Sequence, residues 1–426
     1  MNAPESGQTC QPEKQPATSR WQPLWSIAAN VAAWSFRLVD WAFPKDDDLV
    51  AFAQGRGRFS DNSRALFEFI TSGETRFRAV WLANSQEQKS LVEAGVPDGI
   101  VYMKTSWRGY LSALRARTFI VSHGSPDFEP YTAPSRRTIF FMLWHAITTK
   151  KFAILDHKMT PDSIREFKRS EASKYDGMIA SSVVDQLANA ACFGIDADKV
   201  VVTGLPRNDV LVDPTRRQSR VPTLLAPLLN DTIILYAPTF RDDGEPAKFF
   251  PFGDFDVKVL NEFLVRSHAY LLLRPHINDR ESIRHIESWA GAGLNRLVLA
   301  SSQLVVDAAD LLPYVDVIVT DYSSIYLDLL LADKPAVFVP YDLKEYCDQR
   351  GLLYDYTAIS PGPQVSTQKG FIAALQDAIK GAPEFASHRA MVRRMFHAYN
   401  DGGACRRVAE HLEVMIESRS RKRGTR

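Results

Sequence analysis

One stretch limits what this chain can fold into: VDVIVTDYSSIYLDLLLADKPAVFVPYD, from Val315 to Asp342. Val315 to Thr320 is a short, largely β-branched run, the pattern of a strand buried on both faces. Asp321, Tyr322, Ser323 and Ser324 follow, a polar set that ends a strand and supplies a helix N-cap. Ile325 to Ala332 has helical character, Lys334-Pro335 stops it, and Ala336 to Pro340 reads as a second strand. Strand, turn, helix and strand make a βαβ unit, which requires a parallel sheet and a right-handed crossover. Such a helix starts at the carboxyl edge of the sheet, where open α/β sheets bind ligands and free N–H groups favour phosphate. Taken alone, two serines there are read equally well as caps.

The rest of the chain repeats this alternation. At 426 residues, 45% apolar and 24% charged, it has room for two or three globular units of roughly 150 residues. Leu49–Ala53, Ala79–Ala83, Ile100–Met103, Thr118–Ser122, Ile139–Leu143, Tyr175–Ala180 and Lys199–Thr203 read as strands, with an amphipathic helix from Asp61. They define a doubly wound α/β domain over 45–205. Prolines and arginines mark 206–230 as the interdomain connection. A second α/β domain over 231–412 carries strands at Thr232–Tyr236, Ala269–Leu273 and Leu297–Ala300 besides the opening unit. Residues 413–426 read as a basic tail, disordered from Arg419 onward and able to touch anionic lipid.

The amino-terminal segment is different in kind. Residues 1–20 are polar and are expected to be disordered, with no basic n-region of a secretory signal. Residues 21–44 read as one amphipathic helix. Gln22, Ser26, Asn30, Ala33, Arg37 and Asp40 form a narrow polar or small stripe, which leaves a wide face containing Trp21, Trp25, Trp34 and Trp41. The stripe argues for a helix lying in a membrane interface rather than crossing it, with packing on its own domain as the other reading. A net charge of +1 gives no reason to expect nucleic acid. The cysteines Cys10, Cys192, Cys347 and Cys405 lie far apart, without metal-ligand spacing or a disulfide framework, so a reducing cytosol is the default.

Polar clusters fall at the predicted strand ends: His123, His145, Thr239 to Arg241, Arg274 to His276, and Asp321 to Ser324. A single histidine after a strand is ordinarily a satisfied structural residue; several clusters on one edge point to a site. Arg274 and His276 offer charged donors for phosphate oxygens. The absence of a Gly-x-Gly-x-x-Gly fingerprint and of a Gly-Lys-Ser/Thr loop argues against a dinucleotide dehydrogenase and a P-loop enzyme. No tight acidic cluster implies a resident metal.

Taken as an ordered set, these residues resemble the CDP-glycerol:glycerophosphotransferase family, which builds teichoic acids and related capsule polymers. The motifs are Asp61-Asn62-Ser63, Leu143-Trp144-His145-Ala146, Thr203 through Asp209, Tyr236 through Arg241, Arg274-Pro275-His276, Asp321 through Asp328, and Asp401 through Arg406. The likeness covers about residues 45–412. One position departs: the family's Trp-His-Gly is Trp-His-Ala here, which predicts tighter backbone approach at Ala146, or a changed φ if that Gly was at φ > 0.

The resemblance implies a GT-B-like fold, two Rossmann-like domains facing a cleft. It implies transfer of an alditol phosphate from CDP-glycerol or CDP-ribitol to a polymer or lipid-linked acceptor at the cytoplasmic membrane surface, with no cofactor and no metal. His145 would be the general base, with His276 also in the catalytic set. Arg274, His276, Ser323 and Ser324 would hold the donor pyrophosphate, helped by Thr239 and Arg241. Asp321, Asp328 and His123 would support them. A GT-B glycosyltransferase using a nucleotide sugar and a non-catalytic nucleotide-binding scaffold remain open at this point.

Overall fold

Two all-parallel sheets carry the chain in the computed structural model. It describes residues 36–424 apart from 55–57, 86–90, 92–94, 133, 214–220, 240, 242–247 and 276–279. The first sheet contains β1 (Asp46–Phe52), β2 (Arg78–Ala83), β3 (Val101–Met103), β4 (Ala116–Val121), β5 (Ile139–Met142), β6 (Gly177–Ala180) and β7 (Val200–Val202). Their order across the sheet is β3-β2-β1-β4-β5-β6-β7. The second contains β8 (Thr232–Tyr236), β9 (Ala269–Leu273), β10 (Leu297–Leu299), β11 (Val317–Thr320) and β12 (Ala336–Phe338), in the order β10-β9-β8-β11-β12. Both orders reverse direction after their first strand, the doubly wound arrangement expected of a GT-B-like pair of Rossmann-like domains.

The strands read as unbroken apolar runs because helices cover both faces and leave neither face for water. Every residue of β4 is buried, as are Val317, Ile318 and Val319 of β11. Each reversal leaves a crevice at the carboxyl edge. His123 follows β4 beside β1 in the first domain; Thr239 follows β8 and Asp321 follows β11 in the second. The two carboxyl edges face each other. Asp61 donates its N–H to Asp307 (2.6 Å), Arg64 pairs with Asp310 (2.7 Å), and Lys150 and Leu352 form an isolated antiparallel bridge.

Three expectations change. Residues 413–426 do not begin a loose tail: the helix Ala404–Gly424 runs back across the first domain. It buries Cys405, Val408, Leu412 and Ile416 in the cluster that holds Leu66, Ile70 and Phe141. Arg419 donates to the carbonyls of Arg136 and Thr138 and pairs with Asp176. The apolar positions 405, 408, 412 and 416 fall at helical spacing, a signal masked in the sequence by the surrounding arginines and lysines.

The second change concerns the start of the stretch taken as a connection. Pro206–Asn208 is a 3-10 turn and Asp209–Val212 a helical turn, with Asn208, Asp209 and Leu211 buried. Gly204 takes φ +80, and a Cβ there would stand 3.2 Å from that of Ala404, so the close approach of turn and helix suits glycine. Asp209 then accepts the N–H groups of Ala404 and Cys405 (2.8 and 2.9 Å), placing a carboxylate at the positive end of a 21-residue helix.

The third concerns the amino-terminal helix. Residues 21–35 lie outside the described residues, but 36–42 are helical. Asp40, from the polar stripe, is buried: it pairs with Lys45 (2.5 Å) and accepts from Ser135 and Thr138. Phe36 packs on Tyr110 and Tyr131, while Leu38 and Trp41 are each 67% exposed. Phe36 and Asp40 dock on the protein, while Leu38 and Trp41 point outward. No described helix is long and apolar enough to cross a membrane.

Asp209→Ala removes a buried double acceptor and leaves two helix N–H groups unmet. It is expected to lower stability by about 2 kcal/mol, read as a shift of the denaturant midpoint. An unchanged midpoint would mean that this cap does not fasten the returning helix.

Candidate active site

Arg207 is the junction of the two domains. Its guanidinium, with 10% of the side chain exposed, lies between Asp61 of the first domain and Asp328 of the second, 2.8 Å from each. The same group donates to the carbonyl of His145, and the Arg207 N–H donates to Asn62 Oδ1 (3.1 Å). Asn62 returns its amide to the carbonyls of Trp144 (2.8 Å) and Leu143 (3.3 Å). Asn208 donates to the other oxygen of Asp328 (2.9 Å). Burial pushes the Asp61 carboxyl up against the pull of Arg207, whereas Arg207, held by two carboxylates, keeps its proton. Four separate sequence motifs therefore meet on one cation.

His145 follows β5 and is half-buried. Its imidazole is held between two rings: His123, with centroids 4.7 Å apart and planes 21° apart, and Trp144, at 4.0 Å and 50°. Nδ1 faces the carbonyl of Ser122 at 3.5 Å. That contact favours the tautomer with hydrogen on Nδ1 and the lone pair on Nε2. Trp144 is fixed by Phe152 (4.9 Å) and Phe193 (5.0 Å). The positive φ of this motif belongs to Trp144 (+48°) and not to Ala146. The alanine methyl therefore forces no left-handed backbone, and the altered φ allowed for at Ala146 does not arise.

On the facing edge, Asp321 organises the turn after β11. It accepts the N–H groups of Thr239 (2.8 Å) and Tyr322 and pairs with Arg241 (3.1 Å). Arg241 also pairs with Asp342 (3.0 Å), donates to the Tyr341 hydroxyl (2.9 Å), and lies 5.1–5.3 Å from the ring centres of Tyr322, Tyr341 and Tyr346. Among the described residues these contacts hold the turn together. Thr239 is different: its hydroxyl is buried and has no hydrogen-bond partner among the described residues. Ser323 and Ser324 are half-buried at the start of the helix Ile325–Leu329, and Ser324 makes no side-chain cap. That helix spans five residues, too few for a large dipole, so what its start presents is hydroxyls and local N–H groups.

Arg274 donates to the carbonyls of Ala300 and Val305 (3.0 Å each) and Val306 (3.4 Å). Among the described residues no carboxylate pairs with it; burial, helped by Arg58, pushes the guanidinium down to about 10 against the pull of Asp307 and Asp310. A half-buried cation to which no described carboxylate is paired has charge available for an anion. His276 lies outside the described residues.

Sequence reasoning quoted Arg207 and Asn208 inside a motif but gave them no role. The available signal was an Arg-Asn-Asp run directly after a strand, where buried polar residues serve a site more often than a linker. Arg207→Met leaves Asp61 and Asp328 buried without their cation and is expected to cost about 3–5 kcal/mol, measured by urea denaturation. A variant as stable as the parent would remove the clasp as the main interdomain contact.

With this geometry in view, comparisons with known proteins agree. The sequence profile described as CDP-Glycerol:Poly(glycerophosphate) glycerophosphotransferase matches residues 35–414. The chain is 27% identical over 384 residues to a teichoic acid glycerol-phosphate transferase of Staphylococcus aureus, covering 86% of this chain and 92% of that one. It is 24% identical over 368 residues to a teichoic acid poly(glycerol phosphate) polymerase of Bacillus spizizenii, covering 82% and 88%. Among solved structures, the wall teichoic acid polymerase TagF superposes with a TM-score of 0.72 at 21% identity, covering 93% and 96% of the two chains.

Proposed function

From its membership of the CDP-glycerol:poly(glycerophosphate) glycerophosphotransferase family, which the match over residues 35–414 establishes, we propose how this chain works. It transfers an alditol phosphate from a CDP-alditol to a hydroxyl of a growing cell-surface polymer and releases CMP. The observation that carries the mechanism is the placement of His145, a ring-clamped imidazole whose carbonyl is tied through Arg207 to Asp328 of the facing domain.

The acceptor hydroxyl is a poor nucleophile at neutral pH, and Nε2 of His145 takes its proton as the new oxygen–phosphorus bond forms at the β-phosphorus. The bond from that phosphorus to the bridging oxygen breaks, and CMP leaves with the electron pair. Negative charge grows on oxygens that Arg274, Ser323, Ser324 and the Thr239 hydroxyl are placed to stabilise. His276 joins them on the reading of its motif. Asp321 and Asp328 orient this set through Thr239, Arg241, Arg207 and Asn208. The charge of Arg274, which no described carboxylate pairs, supports a pyrophosphate rather than a neutral ligand on this edge.

The acceptor is polymeric or lipid-linked, so the protein works at the cytoplasmic membrane surface. The outward Leu38 and Trp41 support this, as do Trp107 (71% exposed) and Arg108, which stacks on it 5.4 Å from the ring centre. Trp107 opens the helix whose Tyr110 packs on Phe36, so the two elements adjoin. Tryptophan and arginine side by side suit an anionic lipid interface.

Purified protein given CDP-glycerol or CDP-ribitol and an acceptor should release CMP, and His145→Ala should turn over at least about a hundredfold more slowly with donor affinity retained by calorimetry. Release of UDP or GDP from nucleotide sugars instead would overturn the donor class, and near-normal turnover of the variant would remove His145 as base. Separately, Leu38→Glu with Trp41→Glu should cut binding to phosphatidylglycerol vesicles by about tenfold or more in a sedimentation assay. Equal sedimentation would place the membrane contact elsewhere.

A further inference from the structure

We propose that Asp185 is a positioning residue for the transfer: its buried carboxylate sets the course of the strap 145–151, which runs from His145 to the contact with the facing domain. The inference rests on the reading of His145 as the base.

Residues 143–149 belong to no helix or strand, so the backbone groups of the strap must be met by other elements. They are met from three sides. At the start, Arg207 donates to the carbonyl of His145. At the end, Leu353 of the second domain donates to the carbonyl of Thr149 (3.0 Å), the Lys151 N–H donates to the carbonyl of Gly351 (3.1 Å), and Lys150 bridges Leu352. Between them Ile147, Thr148 and Thr149 are buried. There the Thr148 N–H donates to Asp185 Oδ1 (2.9 Å), and the Thr148 hydroxyl bonds Asn189 Oδ1 (2.6 Å).

Asp185 and Asn189 stand one turn apart on the helix Val183–Phe193, whose Cys192 thiol reaches the carbonyl of Lys150 (4.0 Å). Asp185 is itself fixed just beyond β6: its other oxygen accepts the N–H (2.9 Å) and the hydroxyl (3.2 Å) of Ser181. The residue is 1% exposed, and burial pushes its carboxyl up to about 6 against the pull of these donors. At pH 7.5 it is therefore ionised and accepts on both oxygens. One carboxylate thus fastens the strap to the first sheet three residues beyond His145.

The far end of the strap leads toward the opposite edge. Residues 351–353 follow the helix Leu343–Gln349, whose Tyr346 stacks on Tyr322 of the turn after β11, with ring centroids 4.1 Å apart. A reacting group displaced by about 1 Å can lose on the order of a hundredfold in rate. Loss of the middle anchor is therefore read in turnover rather than in donor binding.

Asp185→Asn keeps the volume but sets an amide NH2 against one of the two N–H groups. At pH 7.5 it should lower kcat for CMP release about tenfold or more, with donor affinity by calorimetry within about twofold of the parent. Ser181→Ala removes a hydroxyl from the same carboxylate without touching the strap, and should keep kcat within about twofold. An equal fall in both variants, or a fall shared by donor affinity, would mean a general loosening of the fold and overturns the proposal. His145→Ala in the same assay tests the underlying reading. If it is nearly inactive while folded Asp185→Asn turns over normally, the inference is overturned and the base stands; near-normal turnover of His145→Ala overturns both. Should Asp185→Asn fail to fold, hydrogen exchange of the unmodified protein decides. The Thr148 amide should exchange as slowly as those of β5, and fast exchange would show that Asp185 does not hold the strap.

Discussion

A guanidinium can be buried only where its charge is met, and in this protein that requirement joins the two domains. Arg207 belongs to the turn after β7, Asp61 to the first domain, and Asp328 to the helix after β11. Breaking such a pair by removing one member leaves the others desolvated and uncompensated, which costs far more than an exposed pair is worth. The same cation holds the carbonyl of His145, so the position of His145 is tied to the position of the helix after β11. One side chain thus links the placement of His145 to the contact between the domains.

The two arginines of the second domain show how neighbours decide what a cation does. Arg241 is matched by Asp321 and Asp342 and enclosed by three tyrosine rings, and its charge is spent on shaping the turn. Among the described residues Arg274 donates to neutral carbonyls, and burial drives it down to about 10. A site that receives an anionic group needs the second kind of cation and is kept in shape by the first. Both stood at strand ends in the sequence, where they looked alike.

Much of the fold was legible because strand and helix periodicities repeat with little interruption. All twelve strands of the described residues lie where apolar runs placed them, and the unit around Asp321 fell where the Ser-Ser turn predicted. The returning helix was not legible, since its apolar positions are spread among basic residues and partners such as Leu66, Ile70, Phe141 and Asp209 lie far earlier in the chain. For the site, His145 was visible from its motif, and the stacking of His123 on it was not, because two residues 22 apart on neighbouring strands meet only once β4 and β5 are paired. Arg207 was missed for a similar reason: its meaning depends on three partners distant in sequence.

The return of the helix Ala404–Gly424 has a consequence for how the protein is made. Synthesis proceeds from the amino end, and domains generally begin to fold as they emerge. The strands of the first domain are complete by Val202, about two hundred residues before the helix that covers Phe141, Leu66 and Ile70 leaves the ribosome. Until then that apolar surface has no native cover, and Asp176 lacks the Arg419 partner it has at the end. The first domain therefore waits, partly exposed, through the synthesis of the second. Its final packing reports that the whole described chain has been made.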